Sequence, residues 1–185
     1  MNPGKNAKMF WASSGLQRHA GIVALVFCAL VSGCGRNAPE IVLHPKTVND
    51  WFPIKVGGRM VQLQLAVFPA EMERGLMQRR DIGKDQGMLF IYRDPTQMSF
   101  WMRNTPSALD IGFFTAAGEL KEIYTMLPYD ETPIRSRSGA LKFALEMNQG
   151  WYRENGVKPG AGLDLAAVRE ALKARDIGLE AIGLQ

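Results

Sequence analysis

Cysteine is nearly missing from this 185-residue chain: Cys28 and Cys34 are the only two, and both fall within the first 34 residues. Residues 35–185 therefore hold no disulfide and depend on a hydrophobic core. Histidine is as scarce. His19 and His44 are the only two, and without a Gly-x-Ser-x-Gly turn a serine–histidine mechanism has little to build on. Glycine loops that cradle phosphate are absent too, as are repeats and low-complexity runs. A charge excess is also lacking once the ends are separated. The chain has 22 basic and 18 acidic residues. Three of the basic residues, Lys5, Lys8 and Arg18, precede residue 35, where no acid occurs, leaving 19 basic against 18 acidic. The basic isoelectric point of about 9.2 thus reflects the N-terminus, and nucleic-acid binding loses its main support. What remains, 46% hydrophobic and 9% aromatic residues, describes one core-forming globular domain.

The N-terminus has its own logic. Lysines 5 and 8 and Arg18 precede an uninterrupted apolar run over residues 20–31, about twelve residues, as in a signal h-region and too short to span a bilayer. Leu30-Val31-Ser32-Gly33-Cys34 follows and resembles the lipobox of bacterial lipoproteins, whose cysteine thiol is acylated before cleavage. The expectation is a signal peptide over 1–33, an acylated Cys34, and anchoring to a bacterial membrane facing the periplasm. Gly35 after Cys34 points to the outer membrane by the usual sorting pattern. Residues 34–50, polar with two prolines, read as a tether.

From Trp51 the pattern is β. Residues 52–56, a Gly57-Gly58 turn and residues 59–67 predict a hairpin. Val61, Leu63, Leu65 and Val67 alternate with Gln62, Gln64 and Ala66, which predicts one buried and one wet face. A helix is expected over 69–80, with Gly75 inside it requiring close packing. Strands are expected at 87–92, 97–103, 109–115, 119–126 and 140–147, the last with Leu141, Phe143, Leu145 and Met147 on one side and Lys142 and Glu146 on the other. A short helix near 149–155 and a firm one over 164–175, capped by Asp164 and striped with Leu165, Val168 and Leu172, complete the chain. The fold class predicted is α+β, a compact antiparallel, barrel-like sheet with two or three short helices. The domain is expected over 51–163, with a C-terminal helical extension over 164–185.

Five blocks carry a resemblance. Glu73-Arg74-Gly75-Leu76-Met77, Gln86-Gly87-Met88-Leu89-Phe90, Phe100-Trp101-Met102-Arg103-Asn104-Thr105, Leu109-Asp110-Ile111-Gly112-Phe113 and Leu145-Glu146-Met147-Asn148-Gln149-Gly150 are, in order and spacing, similar to the family known as domain of unknown function 192. The resemblance spans about residues 59–163 and implies a compact, mostly β fold in an envelope or extracellular setting, with no established activity. This chain departs from the pattern at Ala108, at Ile82-Gly83 and around Gly162 and Asp164.

The candidate ligand-binding residues are Arg74, Trp101, Arg103, Asn104, Asp110 and Glu146. Strand alternation places Ser99, Trp101 and Arg103 opposite Met98, Phe100 and Met102. An indole beside a guanidinium and an amide suits a sugar, a carboxylate or a peptide end. The plainer alternative pairs Arg103 with Asp110 and buries Trp101. Asp110 and Glu146 stand in apolar strands, where two acids could serve hydrolysis or be satisfied by Arg74, Arg103 or backbone N–H groups. The methionines alternate like core residues and form no thioether cluster, so no metal or other cofactor is expected. Three readings stay open: an envelope domain binding a polar ligand, glycan or protein; a hydrolase using Asp110 and Glu146; and a structural lipoprotein docking a partner on the Leu165–Val168–Leu172 stripe.

Overall fold

A computed structural model of the chain describes residues 44–184, so the expected signal, Cys34 and most of the tether lie outside the described residues. Strands β1 (Phe52–Val56) and β2 (Arg59–Ala66) form the hairpin around Gly57 and Gly58. Helix α1 (Pro69–Arg74) then carries the chain to β3 (Gln86–Thr96), which runs parallel to β2. This is a strand–helix–strand crossover in a sheet expected to be antiparallel: the helix expected over 69–80 does not by itself tell a parallel return from an antiparallel one. A two-residue strand, β4 (Ser99–Phe100), precedes β5 (Leu109–Thr115) and β6 (Leu120–Met126). Then come β7 (Ile134–Arg135), β8 (Leu141–Asn148), α2 (Trp151–Glu154), α3 (Leu165–Ala174) and a 3₁₀ turn at Glu180–Ile182.

Six strands make one mixed sheet in the order β1-β2-β3-β8-β5-β6, while β4 pairs with β7 alone. The class is α+β, as expected, but the sheet is open: β1 and β6 are its edges and do not pair. Residues 160–164 lie along both edges. Gly57 donates to the Gly162 carbonyl and Asp164 to that of Lys55, while Leu120 donates to Ala161 and Leu163 to Gly118. Edge N–H and C=O groups that would otherwise template aggregation are thereby occupied.

Both faces are buried. One carries Ile54, Leu63, Leu65, Leu145 and Met147 against Trp151, Tyr152, Val168 and Leu172. The other carries Met88, Phe90, Ile111, Phe113 and Ala144 beneath Leu76, Met98 and Met102. This second layer corrects several expectations. Gln64 and Ala66 are buried rather than wet, with Gln64 donating to the Asn49 carbonyl and accepting from Arg79. In β8 a shift of register between Phe114 and Thr115 puts Leu141 on the second face, so the clean alternation fails there. Lys142 is buried as well, its ammonium donating to the Arg93 and Ile182 carbonyls, and burial lowers its pKa.

The helix expected over 69–80 ends at Arg74, because Gly75 takes φ +45° at its C-cap, a conformation that suits glycine. A Cβ there would also press on the Phe90 ring at 3.3 Å. The strand expected over 97–103 is reduced to β4, since Met102 and Thr105 turn the chain back. Asp164 caps α3 through its carboxylate, accepting from Ala167 N–H at 3.0 Å, and Val168 and Leu172 are fully buried in the first-face core. Each contributes about 1.5–3 kcal/mol. Ile177, Ile182 and Leu184 join the same core, so the C-terminal segment packs against the sheet. The end of the expected tether is held too: Lys46 N–H donates to Ala174, and Val48 packs on the second face. Met88, Met98, Met102, Met126 and Met147 are core residues as read, whereas Met60 is exposed. Among the described residues no helix is long and apolar enough to cross a membrane.

Candidate functional site

Asp110 and Glu146 sit on adjacent strands, β5 and β8, but one residue out of step. Register pairs Asp110 with Met147 and Ile111 with Glu146, and successive residues of a strand point to opposite faces. Asp110 therefore faces the helical side, with Met147 and Tyr152, and Glu146 faces the other, with Ile111. The structure does not bring the two acids together. A shared hydrolytic site between them has no geometry.

Their surroundings differ as much as their directions. Asp110 is buried and satisfied: Thr125 Oγ1 donates to one oxygen at 2.8 Å and the Gly150 N–H to the other at 2.7 Å. Gly150 opens α2 with φ +86°, so this bond fixes the turn from β8 into the helix. A backbone N–H thus satisfies Asp110, and Arg103 does not pair with it. The guanidinium of Arg103 lies instead over the Trp101 ring, 5.5 Å from its centroid, and Trp101 is 44% exposed rather than core.

Glu146 has no such partners. Its side chain is only 5% exposed, and no donor among the described residues reaches its carboxyl group. Neither Arg74 nor Arg103 neutralises it, and burial alone raises its pKa to about 8. Water removal disfavours the charged form, and nothing nearby offsets it. The carboxyl group opens into a small pocket of about 90 Å³. Its floor is the sheet, at Phe90, Tyr92 and Glu146; one wall is the α1 end from Met72 to Met77; the other is Phe100 and Trp101. Phe100 is held by an edge-to-face contact with Phe90 at 5.0 Å and packs on Phe113 at 5.9 Å. Burial and the neighbouring Glu146 charge raise the Tyr92 pKa.

Of the six residues singled out in sequence, Arg74, Trp101 and Glu146 line this one pocket. Arg103 adjoins it through Trp101. Asn104, at φ +52°, lines a neighbouring open hollow with Gln78, Arg80 and Tyr129, and its carbonyl accepts from Gln78 N–H. Gln78 and Tyr129 also have positive φ, so three non-glycine residues in a sparsely populated conformation frame that hollow. Asp110 is excluded by direction. Sequence reasoning missed Tyr92, Phe90 and Phe100 as pocket residues. Their signal was present: in a strand, Phe90 and Tyr92 share a face, the one that register sets beside Glu146. The chemistry available is polar binding at an enclosed acid, with aromatic walls and one cation, Arg74, at the rim. Among the described residues no group of three or more His, Cys, Asp or Glu could hold a metal ion.

Comparison with known proteins agrees with this fold. The family described as domain of unknown function 192, an uncharacterized ACR, matches residues 52–165. A crystal structure of a protein of unknown function from Novosphingobium aromaticivorans DSM 12444 is 36% identical, with TM-score 0.58, covering 61% of this chain and 84% of that one. A crystal structure from Sinorhizobium meliloti 1021, described as a candidate transcription regulator, is 32% identical, with TM-score 0.60, covering 64% of this chain and 95% of that one. No protein of curated function matches.

Proposed function

The chain belongs to the domain of unknown function 192 family, and we propose that it is a membrane-anchored envelope lipoprotein whose domain binds a small polar ligand in the pocket of Arg74, Trp101 and Glu146. One observation carries the binding reading. The Glu146 carboxyl group has no hydrogen-bond partner among the described residues, and the residue is only 5% exposed; what solvent it meets is that of the pocket, so a donor entering there finds an unpaired acid. Perturbed acids in concave, aromatic-lined sites are the usual mark of a binding or active site. The anchoring rests on residues 1–34: basic leader, short apolar run, small residues and Cys34. Two acyl chains at Cys34 would hold the domain at the membrane; Gly35 points to the outer one, and membrane fractionation reads which. The near balance of 19 basic and 18 acidic residues beyond residue 34 gives a transcription-regulator role, as named for the Sinorhizobium relative, no electrostatic support. The buried Val168 and Leu172 leave a partner-docking role for α3 without its apolar stripe.

The test of binding is fluorescence of the full chain titrated with small envelope solutes, comparing wild type with Trp101→Phe. A saturable change in wild type that Trp101→Phe abolishes is expected; no change with any charged or sugar-like solute would remove the reading. The anchor is tested separately. Cys34→Ser should lose lipid labelling and stay unprocessed, and continued labelling would overturn it.

A further inference from the structure

Resting on that pocket as the binding site, we propose that the group it takes is an ammonium, seated against the Glu146 carboxylate between the aromatic walls. Four aromatic side chains, Phe90, Tyr92, Phe100 and Trp101, line the pocket together with two acids, the buried Glu146 and the exposed Glu73. Aromatic faces carry negative partial charge and attract cations, and they offer an anion nothing. Of the lining side chains only Arg74 carries a positive charge, and it is exposed, so water weakens its pull on a carboxylate or phosphate. The size, about 90 Å³, admits a small head group such as an alkylammonium rather than a whole saccharide. An ammonium supplies the acid with both a counter-charge and donors.

The geometry has a proton consequence. Burial holds the Glu146 pKa near 8, so at neutral pH the carboxyl group is mostly protonated. A cation binds the ionised form, so binding expels one proton below that pH. Apparent affinity should rise about tenfold per pH unit up to about pH 8 and then level off. The other groups facing Glu146 are Glu73 and Arg74 on α1, Tyr92 on β3 and, through the sheet, Tyr152. Both tyrosines have raised pKa values, from burial first, so neither titrates in this window.

The experiment is calorimetry on the full chain with propylamine and ethanolamine, with propionate and propanol as anionic and neutral counterparts, at pH 6, 7, 8 and 9 in buffers of different ionisation enthalpy. The expected result is amine binding with release of about one proton at pH 6–7, a tenfold gain from pH 6 to pH 7, and loss of that pH dependence in Glu146→Gln. Trp101→Ala, at an exposed position, should weaken amine binding several-fold while leaving the circular dichroism unchanged, so the idea does not hang on the buried variant folding. Propionate binding that is level up to about pH 8 and weakens beyond it would overturn the ammonium assignment while leaving the pocket as the site. Binding of none of the four probes, with Trp101 fluorescence silent to every solute in the titration above, would remove both.

Discussion

Two carboxylates on neighbouring strands, Asp110 and Glu146, are both about 95% buried, yet they live under opposite conditions. On the helical face Asp110 accepts two hydrogen bonds and ties β5 to β6 and to the start of α2. On the other face Glu146 accepts none and opens to a pocket. Burial alone therefore does not fix the role of an acid; the state of its lone pairs separates these two. The helical face behaves likewise elsewhere. Tyr152 Oη donates to the Leu145 carbonyl at 2.8 Å, and Gly112 leaves room for that ring, since a Cβ there would stand 2.4 Å from Tyr152 Oη.

The contrast can be broken most forcefully where the closed side is clamped. Arg175 at the end of α3 is buried, pairs with Glu71 and donates to the Leu65 carbonyl. Glu71 in turn accepts from the Val67 and Phe68 N–H groups at the start of α1. Arg175→Ala should cost about 3–5 kcal/mol in chemical denaturation, because it leaves a mostly buried carboxylate unpaired. A loss under 1 kcal/mol would mean the clamp is not what joins the C-terminal segment to α1.

A smaller effect is expected at Asp110. Asp110→Ala should destabilise by about 2–3 kcal/mol, since the buried Gly150 N–H loses its acceptor, and should leave ligand binding unchanged. If binding fell while stability held, the assignment of the two acids would be reversed.

The smallest expected effect has the opposite sign. The pKa of Glu146 is raised in the folded protein to about 8 from an ordinary 4.5, so the folded state keeps a proton that the unfolded chain releases. Its contribution to stability is full below about pH 4.5, declines as pH rises toward 8, and is flat beyond. At about 1.4 kcal/mol for each tenfold change in proton affinity, the rise from 4.5 to about 8 sets an upper bound near 5 kcal/mol. Solvent reaching the carboxyl group through the pocket reduces this to about 2 kcal/mol. Glu146→Gln should thus be more stable than wild type at pH 9 and nearly equal at pH 4. Parallel stability profiles across that range would show that Glu146 is solvated or paired.

Much of the scaffold was legible in advance. The 52–56 and 59–66 hairpin, β5 at 109–115 and α3 with its Asp164 cap follow from turn glycines, alternation and helical spacing, all of which are local. The parallel β2–β3 pairing was not, since a helix between two strands does not by itself tell a parallel return from an antiparallel one. Nor was the second buried face, because Gln64 and Lys142 read as solvent-facing when a strand is judged alone. Residue types nominated Arg74, Trp101 and Glu146; only the pairing of β8 with β3 and β5 set Glu146 beside Phe90 and Tyr92.

By itself the sequence determined family, class and local elements, and it marked Asp110 and Glu146 as acids in apolar strands. Tertiary structure alone decided which of them is satisfied. That choice depends on a one-residue offset in register, which turns neighbouring side chains to opposite faces, and on which donors the distant segments 125 and 150 bring within reach. Spacing along a chain carries no record of either.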